Sequence, residues 1–413
     1  MKKNWLSKLI CGVLACSCAL SFASCKDPVS SEKELLPTGE EKEVVKDESG
    51  KEVFGVSKGK SEYKIVIPES QGKYIKKAAE ELQSYVKAST GVNLPIVLDV
   101  DVASSDKAYI SLGDTQQFKA TNLSVTKEEL GESGFKVLTD NQSIYIGGYS
   151  FEGVLYGVYD LLEYLINMEV YSIDEIVYDS KTQIPLYDLD YTSSPYIDYR
   201  TWESTYFCST ESALPMRLHG GYGLSTITTG GKVYGTWCHS FPDIGITMEA
   251  YPQYFSNGQL CMTNPEVIEL VARKLITEMK KKPDATYYQL GHSDFSGKCS
   301  CSSCAESEAL NGGVGGTYVI FLNQIAEKVA QYKKEEGLTQ ETYIEGLAYL
   351  SYAKSPTYYD ETTATYKPVN ENVVCRDDVT IMYAPITACH FHAFNDPNCE
   401  ENRENGHYPG PPV

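Results

Sequence analysis

The stretch that decides the fold is PEVIELVARKLITEMKKKPDATYYQLGHSD, residues 265–294. Asn264 is a favourable cap ahead of a proline at the first helical turn, and apolar residues then recur at helical spacing, so a helix is predicted over Pro265–Lys281. A strand is predicted over Thr286–Gly291, and it leads directly into the polar sequence His292–Asp294. A helix, a strand and a polar loop in succession are typical of α/β domains, whose sites lie at strand ends.

The same alternation continues on both sides of this stretch at wide spacing. Further strands are predicted over Ile197–Glu203, Ile344–Tyr352 and Val379–Ala384, with a long helix over Gly316–Glu335. This order predicts a (β/α) barrel of the TIM type, which takes about 250 residues. Fewer residues follow Tyr196, so we expect a barrel that is incomplete at its C-terminus and a chain that is a fragment or a truncation.

A smaller α/β domain is predicted upstream of the barrel. Its short β-branched runs alternate with two amphipathic helices, and Asp140-Asn141 marks a hairpin turn. The predicted strands are Tyr63–Pro68, Leu94–Leu98, Ala108–Gly113, Gly134–Leu138, Ser143–Gly147 and a strand-like link at Ile184–Tyr191, and the predicted helices are Lys76–Lys87 and Glu152–Asn167.

The first 25 residues predict export. Three lysines precede an apolar run from Leu9 to Phe22, which is the length of a signal-peptide core and too short to span a bilayer comfortably. The sequence Phe22-Ala-Ser-Cys25 resembles a lipoprotein processing box, so lipidation at Cys25 is predicted; a plain secretory signal is the alternative. The domain prediction is therefore a signal peptide over 1–25, a flexible tether over 26–60, the α/β accessory domain over 61–192 and the partial barrel over 193–413.

Charge argues against two classes of partner. The formal charge of −20 becomes about −23 once the three leader lysines are removed, and such a surface repels phosphate backbones and anionic lipid. We therefore expect no nucleic-acid partner, and membrane contact only through a lipid anchor. The 32 tyrosines suit sugar rings, since a phenol offers a flat apolar face and a hydroxyl, although tyrosine is also common in secreted sheets.

Cysteines cluster downstream of the predicted strand end. Cys299, Cys301 and Cys304 have the spacing of metal ligands, and His292 could complete a zinc site. Export favours disulfide bonding or a structural role instead, and no second Cys-x-x-Cys pair follows. The sequence thus leads us to expect no metal and no cofactor, with zinc as the alternative.

Two parts of the chain resemble known families. Residues Tyr63–Tyr171 are similar to the accessory domain that precedes the barrel in β-N-acetylhexosaminidases and α-glucuronidases, through Ala78-Ala-Glu-Glu-Leu-Gln83 and Gly153-Val-Leu-Tyr-Gly-Val-Tyr-Asp-Leu-Leu-Glu163. The remainder resembles the bacterial domain of unknown function 4838, through His239-Ser-Phe241, Gln259–Val267 and the Asp294–Cys304 segment. Some members of that family are placed among glycoside hydrolases as endo-β-N-acetylglucosaminidases.

Glycoside hydrolysis needs an acid for the leaving oxygen and a second group that stabilises the sugar cation. The sequence Leu290-Gly-His-Ser-Asp294 is similar to the strand end Gly-Gly-Asp-Glu of family-20 hexosaminidases, and this match implies that Asp294 is the general acid. Ser293 stands where that family has the Asp that orients the N-acetyl group, and a serine cannot supply that charge. Glu203 is the candidate second carboxylate. A turn-capping role for Asp294 is the structural alternative.

Five further residues are predicted to bind the substrate. Arg200 is similar to the arginine that grips sugar hydroxyls in family-20 enzymes, and its alternative is a structural ion pair. Trp237 could stack on a sugar face or simply be buried. His239 lies with Trp237 in a glycine-rich stretch predicted to be a loop, and it could bind substrate or transfer a proton. The other two candidates for substrate binding are His292, just past a predicted strand, and Tyr349, near the end of a later one.

These features predict an exported, lipid-anchored glycoside hydrolase on the bacterial surface that cleaves O-glycosyl bonds in N-acetylhexosamine-containing glycans. Its expected partners are the glycan and, through lipid, the membrane. Two alternatives stay open: a non-catalytic carbohydrate-binding lipoprotein, which the Ser293 substitution favours, and a structural surface protein.

Overall fold

The computed structural model describes residues 43–172, 175–197, 199–200, 213–218 and 234–404. The predicted signal peptide, the lipidation residue Cys25 and residues 26–42 of the predicted tether lie outside these ranges. The remainder of the predicted tether, residues 43–60, is not a free linker, because its backbone pairs with the chain at Ile184 and Tyr187. All elements below belong to the compact unit Val44–Val413. Within the described part of the chain, no helix has the length and apolarity that crossing a bilayer requires.

A six-stranded mixed sheet forms the N-terminal part, in the order β10-β5-β6-β4-β2-β3. Strands β2, β3, β4 and β6 run parallel, while β5 and β10 run antiparallel to their neighbours. The turn between β5 and β6 contains Asn141 at φ +55°, so the hairpin predicted at Asp140-Asn141 is confirmed. The strands of this sheet are β2 (Lys64–Ile67), β3 (Ile96–Leu98), β4 (Tyr109–Leu112), β5 (Phe135–Asp140), β6 (Ser143–Gly148) and β10 (Asp190–Ser193).

Two long helices cover one face of this sheet. Helix α1 (Lys73–Thr90) ends at Gly91 in the left-handed conformation, and helix α4 (Phe151–Ile166) ends at Asn167 in the same conformation. The two helices pack against each other and against the sheet, and their contact faces form one apolar core. The short helices α2 (Gln116–Lys119) and α3 (Lys127–Leu130) follow β4. Both long helices confirm the amphipathic patterns predicted from the sequence.

Several short antiparallel pairs border these elements. The predicted strand-like link Ile184–Tyr191 is confirmed in part, since two short strands, Gln183–Pro185 and Asp190–Ser193, overlap its ends. The other strands of these pairs were not predicted from the sequence. The pairs are β1 (Phe54–Ser57) with β9 (Gln183–Pro185), β7 (Glu169–Ser172) with β8 (Glu175–Val177), β12 (Phe255–Ser256) with β13 (Gln259–Leu260), and β16 (Thr357–Asp360) with β17 (Thr365–Pro368).

A second sheet forms the C-terminal part, with four parallel strands in the order β11-β14-β15-β18. The spatial order equals the chain order, as it does in a barrel wall. The predicted strands at Thr286–Gly291, Ile344–Tyr352 and Val379–Ala384 are confirmed in shorter form, although Leu350–Tyr352 at the end of the second is a 3-10 helix and not a strand. The strands of this sheet are β11 (Tyr234–Thr236), β14 (Tyr287–Gln289), β15 (Tyr343–Ala348) and β18 (Val379–Tyr383).

Two long helices pack on this second sheet. Helix α5 (Pro265–Lys281) has the bounds predicted from the sequence, with Asn264 Oδ1 accepting from the Glu266 amide at 2.9 Å. Fully buried residues of α7 (Val314–Glu335), such as Phe321 and Leu322, join α5 and the strands in a common core. Each such side chain contributes about 1.5–3 kcal/mol through its burial. Helices α6 (Ser302–Leu310) and α8 (Glu400–Glu404) complete the α-helices of the described residues. Short 3-10 helices occur at Asp99–Asp101, Pro242–Ile244, Pro252–Tyr254, Leu350–Tyr352 and Glu371–Val373.

The predicted first barrel strand, Ile197–Glu203, is wrong where it can be compared. Ile197, Tyr199 and Arg200 are not in a strand, and Asp198 and residues 201–203 lie outside the described ranges. The Arg200 guanidinium donates to the Ile197 carbonyl at 2.6 Å and to the Arg217 carbonyl at 2.9 Å. A chain that folds back on itself in this way is not extended. The described residues form four consecutive parallel strands and no closed barrel, so the predicted α/β class holds and the barrel is not confirmed.

Candidate active site

Three segments that follow parallel strands meet at one edge of the second sheet. Trp237 and His239 follow β11, the sequence His292–Asp294 follows β14, and Tyr349 follows β15. Because parallel strands place their carboxyl ends at the same edge, residues far apart in sequence are brought together there. Four of the side chains predicted for the site share this edge: Asp294, His239, His292 and Tyr349.

The Asp294 carboxylate is the most accessible charged group of this cluster. Its side chain is 64% exposed, and its Oδ1 accepts a hydrogen bond from the Tyr349 hydroxyl at 3.0 Å. The His239 Nε2 atom lies 3.5 Å from the same oxygen. Asp294 is therefore neither buried nor closed off in an ion pair, and it can meet a ligand from solvent.

The backbone fixes the tautomer of His239. Its Nδ1 atom lies 2.5 Å from the carbonyl oxygen of His292, and a carbonyl can only accept, so Nδ1 carries a hydrogen. The Nε2 atom then faces Asp294 either as a lone pair, in the neutral ring, or as a donor, in the cation. His239 can thus take up or release a proton directly beside the carboxylate.

His292 occupies a different environment from the one predicted. Its side chain is fully buried, and its ring stacks on Tyr352 with centroids 4.0 Å apart. Burial lowers the pKa of the His292 imidazole, which favours the neutral ring. The prediction that this side chain binds substrate is corrected: no solvent-exposed surface is left for a sugar to touch, and the residue acts through its carbonyl, which holds His239.

Trp237 lies at the border of an aromatic group on the strands. The half-buried indole meets the Tyr234 ring edge-on at 4.5 Å, and Tyr234 stacks on Tyr287 at 5.1 Å. Tyr287 stacks in turn on Tyr343 at 5.4 Å. The indole is thereby supported on one side and remains partly exposed, which is compatible with sugar stacking as predicted.

Sequence reasoning missed Glu345, a carboxyl buried in the sheet below this edge. It is 6% exposed, and it accepts hydrogen bonds from Tyr234 Oη at 3.0 Å and Gln289 Nε2 at 2.9 Å. Burial raises the pKa of Glu345 to about 7, although these donors and Thr380 partly offset the rise. A lone Glu inside the apolar strand Tyr343–Ala348 was the available signal.

Gln289 links this carboxyl to the site. Its Nε2 donates to Glu345, while its Oε1 accepts from the amide of Cys238, the residue between Trp237 and His239. Cys238 has φ +58°, a left-handed backbone that is unfavourable for a side-chain-bearing residue. The conformation of the Trp237–His239 loop therefore depends on a buried polar network that reaches down to Glu345.

Gln259, in the hairpin β12–β13, forms hydrogen bonds with the backbone of the site at Ser293. The buried Gln259 amide donates to the Ser293 carbonyl and accepts from the Ser293 amide, both at 3.1 Å. These two bonds satisfy backbone groups of the residue that precedes Asp294. Gln259 is a positioning residue that sequence reasoning did not assign.

Two residues predicted for the site, Arg200 and Glu203, are not among the side chains that the structure places beside Asp294. Arg200 lies near the first sheet, where its guanidinium is 5.8 Å above the Tyr156 ring and 3.4 Å from Ser133 Oγ. These are not neighbours of the Asp294 cluster, so its predicted role in sugar binding gains no support from them. Glu203, the predicted second carboxylate, lies outside the described residues.

Two groups of side chains have the composition of metal sites. Cys261, Cys299, Cys301 and Cys304 place four sulfur atoms within 4.8 Å of one another, and a smaller group contains Cys389, His392 and Cys399. The fourth member of the first group is thus Cys261, and His292, proposed as the fourth ligand from the sequence, is not part of it.

Two family models match the chain. The model described as "Domain of unknown function (DUF4838)" matches residues 170–403, and the model described as "Glycosyl hydrolase family 67 N-terminus" matches residues 56–161. These matches agree with both resemblances seen in the sequence. Comparison with curated proteins gives no match.

Solved structures of glycoside hydrolases are also similar to the chain at low identity. A Flavobacterium johnsoniae chitobiase is 13% identical with a TM-score of 0.42, over 84% of this chain and 54% of the chitobiase. A Bacteroides fragilis β-N-acetylhexosaminidase is 11% identical with a TM-score of 0.40, over 84% of this chain and 69% of that one. A GH115 4-O-methyl-α-glucuronidase with specificity for decorated arabinogalactans is 12% identical with a TM-score of 0.41, over 70% and 42%. The chain therefore spans about half the length of the chitobiase.

Proposed function

This chain belongs to the DUF4838 family, and from that premise we propose that it is an exported glycoside hydrolase of N-acetylhexosamine-containing glycans with Asp294 as its general acid. The match of its N-terminal part to the glycosyl hydrolase family 67 N-terminus supports the reaction class. The choice of an N-acetylhexosamine substrate rests on the resemblance of the Leu290–Asp294 sequence to family-20 enzymes.

The observation that carries this proposal is the position of Asp294. An exposed carboxyl stands at the carboxyl-terminal edge of a parallel sheet, with an imidazole 3.5 Å away and a phenol donating to it at 3.0 Å. Catalytic groups of barrel enzymes occupy this edge because loops from several strands converge there. A protonated Asp294 would donate to the leaving oxygen, and His239 could then return the proton from the other side of the carboxylate.

Besides the general acid, glycoside hydrolysis needs a second group, which stabilises positive charge at the sugar. Ser293 cannot supply that charge, and its backbone is already bonded to Gln259. We keep Glu203 as the proposed partner. Glu345 is not assigned this role, because its carboxyl is buried among Tyr234, Gln289 and Thr380 and does not face solvent.

The test is sugar release from chitobiose and from N-glycans by the purified chain and by Asp294→Asn. The variant is expected to lose about 10²–10⁴-fold in kcat/KM, the usual contribution of a general acid. Asp377→Asn is the matched control, since Asp377 is exposed and precedes β18 at the opposite edge of the sheet. Equal turnover by Asp294→Asn and the unmodified chain would remove Asp294 from the mechanism.

A second candidate function is carbohydrate binding without turnover. The Asp294 carboxylate already accepts a hydrogen bond from the Tyr349 hydroxyl, and a carboxylate can accept from sugar hydroxyls in the same way without any proton transfer. Saturable binding of chitobiose by calorimetry, with no sugar released, would support this function over the first. Turnover that depends on Asp294 would exclude it.

Lipid anchoring at the cell surface is part of the proposal and rests on the leader sequence alone. Replacing Cys25 with Ala is expected to move the protein from the membrane fraction to the soluble exported fraction, whereas Cys16→Ala is expected to leave it anchored. An unchanged distribution in the Cys25 variant contradicts the anchor and leaves the glycan proposal intact.

A further inference from the structure

We propose that Cys261, Cys299, Cys301 and Cys304 bind one structural Zn²⁺ ion that fixes the loop carrying Asp294. This inference does not depend on glycan hydrolysis, and it holds equally for a binding protein. It differs from the disulfide bonding that the predicted export of the chain favours for these cysteines.

The sulfur spacing is the first argument. Cys261 Sγ lies 3.6 Å from Cys301 Sγ and 3.8 Å from Cys304 Sγ, and all four sulfurs lie within 4.8 Å of one another. Zinc binds thiolates at about 2.3 Å, and four sulfurs at that radius in a tetrahedron are about 3.8 Å apart. A disulfide would bring two of them to about 2.05 Å. The observed spacing fits four ligands around one ion better than two bonded pairs.

Burial and ligand type indicate a structural site. Cys299 and Cys304 are 5% and 2% exposed, and Cys261 and Cys301 are half-buried. Four protein thiols fill a tetrahedral coordination sphere, which leaves no position for water or substrate, as in closed zinc sites. Four soft sulfur ligands select zinc over magnesium or calcium, which prefer oxygen.

The local fold positions each ligand. Cys261 follows the hairpin β12–β13, while Cys301 caps the first turn of α6, where its sulfur accepts from the Cys304 amide at 3.4 Å. The hydroxyl of Thr263 lies 3.2 Å from Cys304 Sγ and 3.6 Å from Cys261 Sγ. Amide and hydroxyl donors to the sulfurs are the outer-shell contacts that stabilise thiolates at metal sites.

Zinc bound at the four cysteines would also restrain the loop that carries Asp294. The chain from Asp294 to Cys299 is short, and Gln259, two residues before Cys261, already holds the backbone of Ser293. An ion at the four sulfurs would join the same hairpin to the far end of this segment. The loop would then be held at both ends, which limits the positions that Asp294 can take.

The experiment measures metal by plasma mass spectrometry on the exported full chain, purified with a tag that does not bind metal. The unmodified chain is expected to contain one more Zn²⁺ per molecule than the Cys261→Ser/Cys304→Ser variant, and this difference is insensitive to ions held at Cys389, His392 and Cys399. Cys375→Ser is the matched control, since its half-buried thiol belongs to neither group, and it should retain the full zinc content.

A second readout does not require the variant to fold. The unmodified chain is alkylated and mapped by mass spectrometry, and it is also stripped and reloaded with Co²⁺. Four alkylated cysteines and the visible absorption of tetrahedral cobalt thiolate support the proposal. Disulfide-linked peptides among these four cysteines, or zinc contents equal to that of the double variant, overturn it.

Discussion

The buried carboxyl of Glu345 predicts a specific dependence of stability on pH. Its pKa is raised from 4.5 to about 7 by burial. Between those values the folded chain holds a proton that the unfolded chain has released, so the free energy of unfolding falls as pH rises. The contribution is fully present below pH 4.5 and is lost as pH rises through 7. At about 1.4 kcal/mol per pKa unit, the loss is about 3 kcal/mol.

The perturbation is Glu345→Gln, which keeps the shape of the neutral carboxyl and removes its ionisation. Urea unfolding of the full chain and the variant is measured from pH 4.5 to 8.5. The variant is expected to gain about 3 kcal/mol relative to the unmodified chain across this range. The same substitution at the exposed Glu361 is the control and should show a constant difference. A constant difference for Glu345→Gln as well would refute the raised pKa.

Two further predictions concern the geometry of the site. A Cβ at Gly291 would lie 1.7 Å from the Cys238 carbonyl oxygen, so Gly291→Ala is expected to displace the loop that carries His239 and to cost about 3 kcal/mol of unfolding free energy, measured by urea titration. Gly55→Ala is its control, because the nearest atom is 3.7 Å from the added carbon, and an equal cost in both variants would contradict the steric argument. Tyr349→Phe removes the donor to Asp294 and is expected to lower kcat/KM, or glycan affinity if there is no turnover, several-fold with an unchanged melting temperature. A variant with unaltered glycan kinetics and affinity would show that this phenol does not serve the site.

The regular elements were predictable wherever a local pattern sets them. Helix α5 begins at an Asn-Pro pair and keeps an apolar face to its end, and the β5–β6 hairpin turns at an Asn that tolerates positive φ. Both signals lie within a few residues. Strand β11, by contrast, has only three residues in a glycine-rich stretch and is stabilised by pairing with β14. Its sequence alone resembles a loop.

The error at Ile197–Glu203 has a related cause. The pattern of β-branched and aromatic residues there is compatible with a strand, but Arg200 uses its guanidinium to bind two carbonyl groups of a bent chain. A propensity argument counts the residue types and does not include such a tertiary contact.

The candidate site was partly predictable, because polar residues directly after an apolar strand pattern can be recognised in the sequence. Asp294 follows a predicted strand, Tyr349 lies near the end of another, and His239 lies in a predicted loop. Parallel pairing brings the three together. The burial of His292 could not be predicted, since it depends on Tyr352 from a later element. The participation of Cys261 in the cysteine group depends in the same way on the hairpin that positions it, far from Cys299 in sequence.

The contact between the His239 ring and the carbonyl of His292 has an evolutionary implication. The group that orients the imidazole belongs to the main chain, so any residue that preserves the local backbone can provide it. The buried ring at this position bonds the Ser293 carbonyl through Nδ1 at 3.1 Å, while its Nε2 atom has no hydrogen-bond partner among the described residues. Descendants of this sequence that preserve this backbone would therefore keep the orientation of His239 even where residue 292 has changed, and a comparison of side chains alone would overlook that continuity.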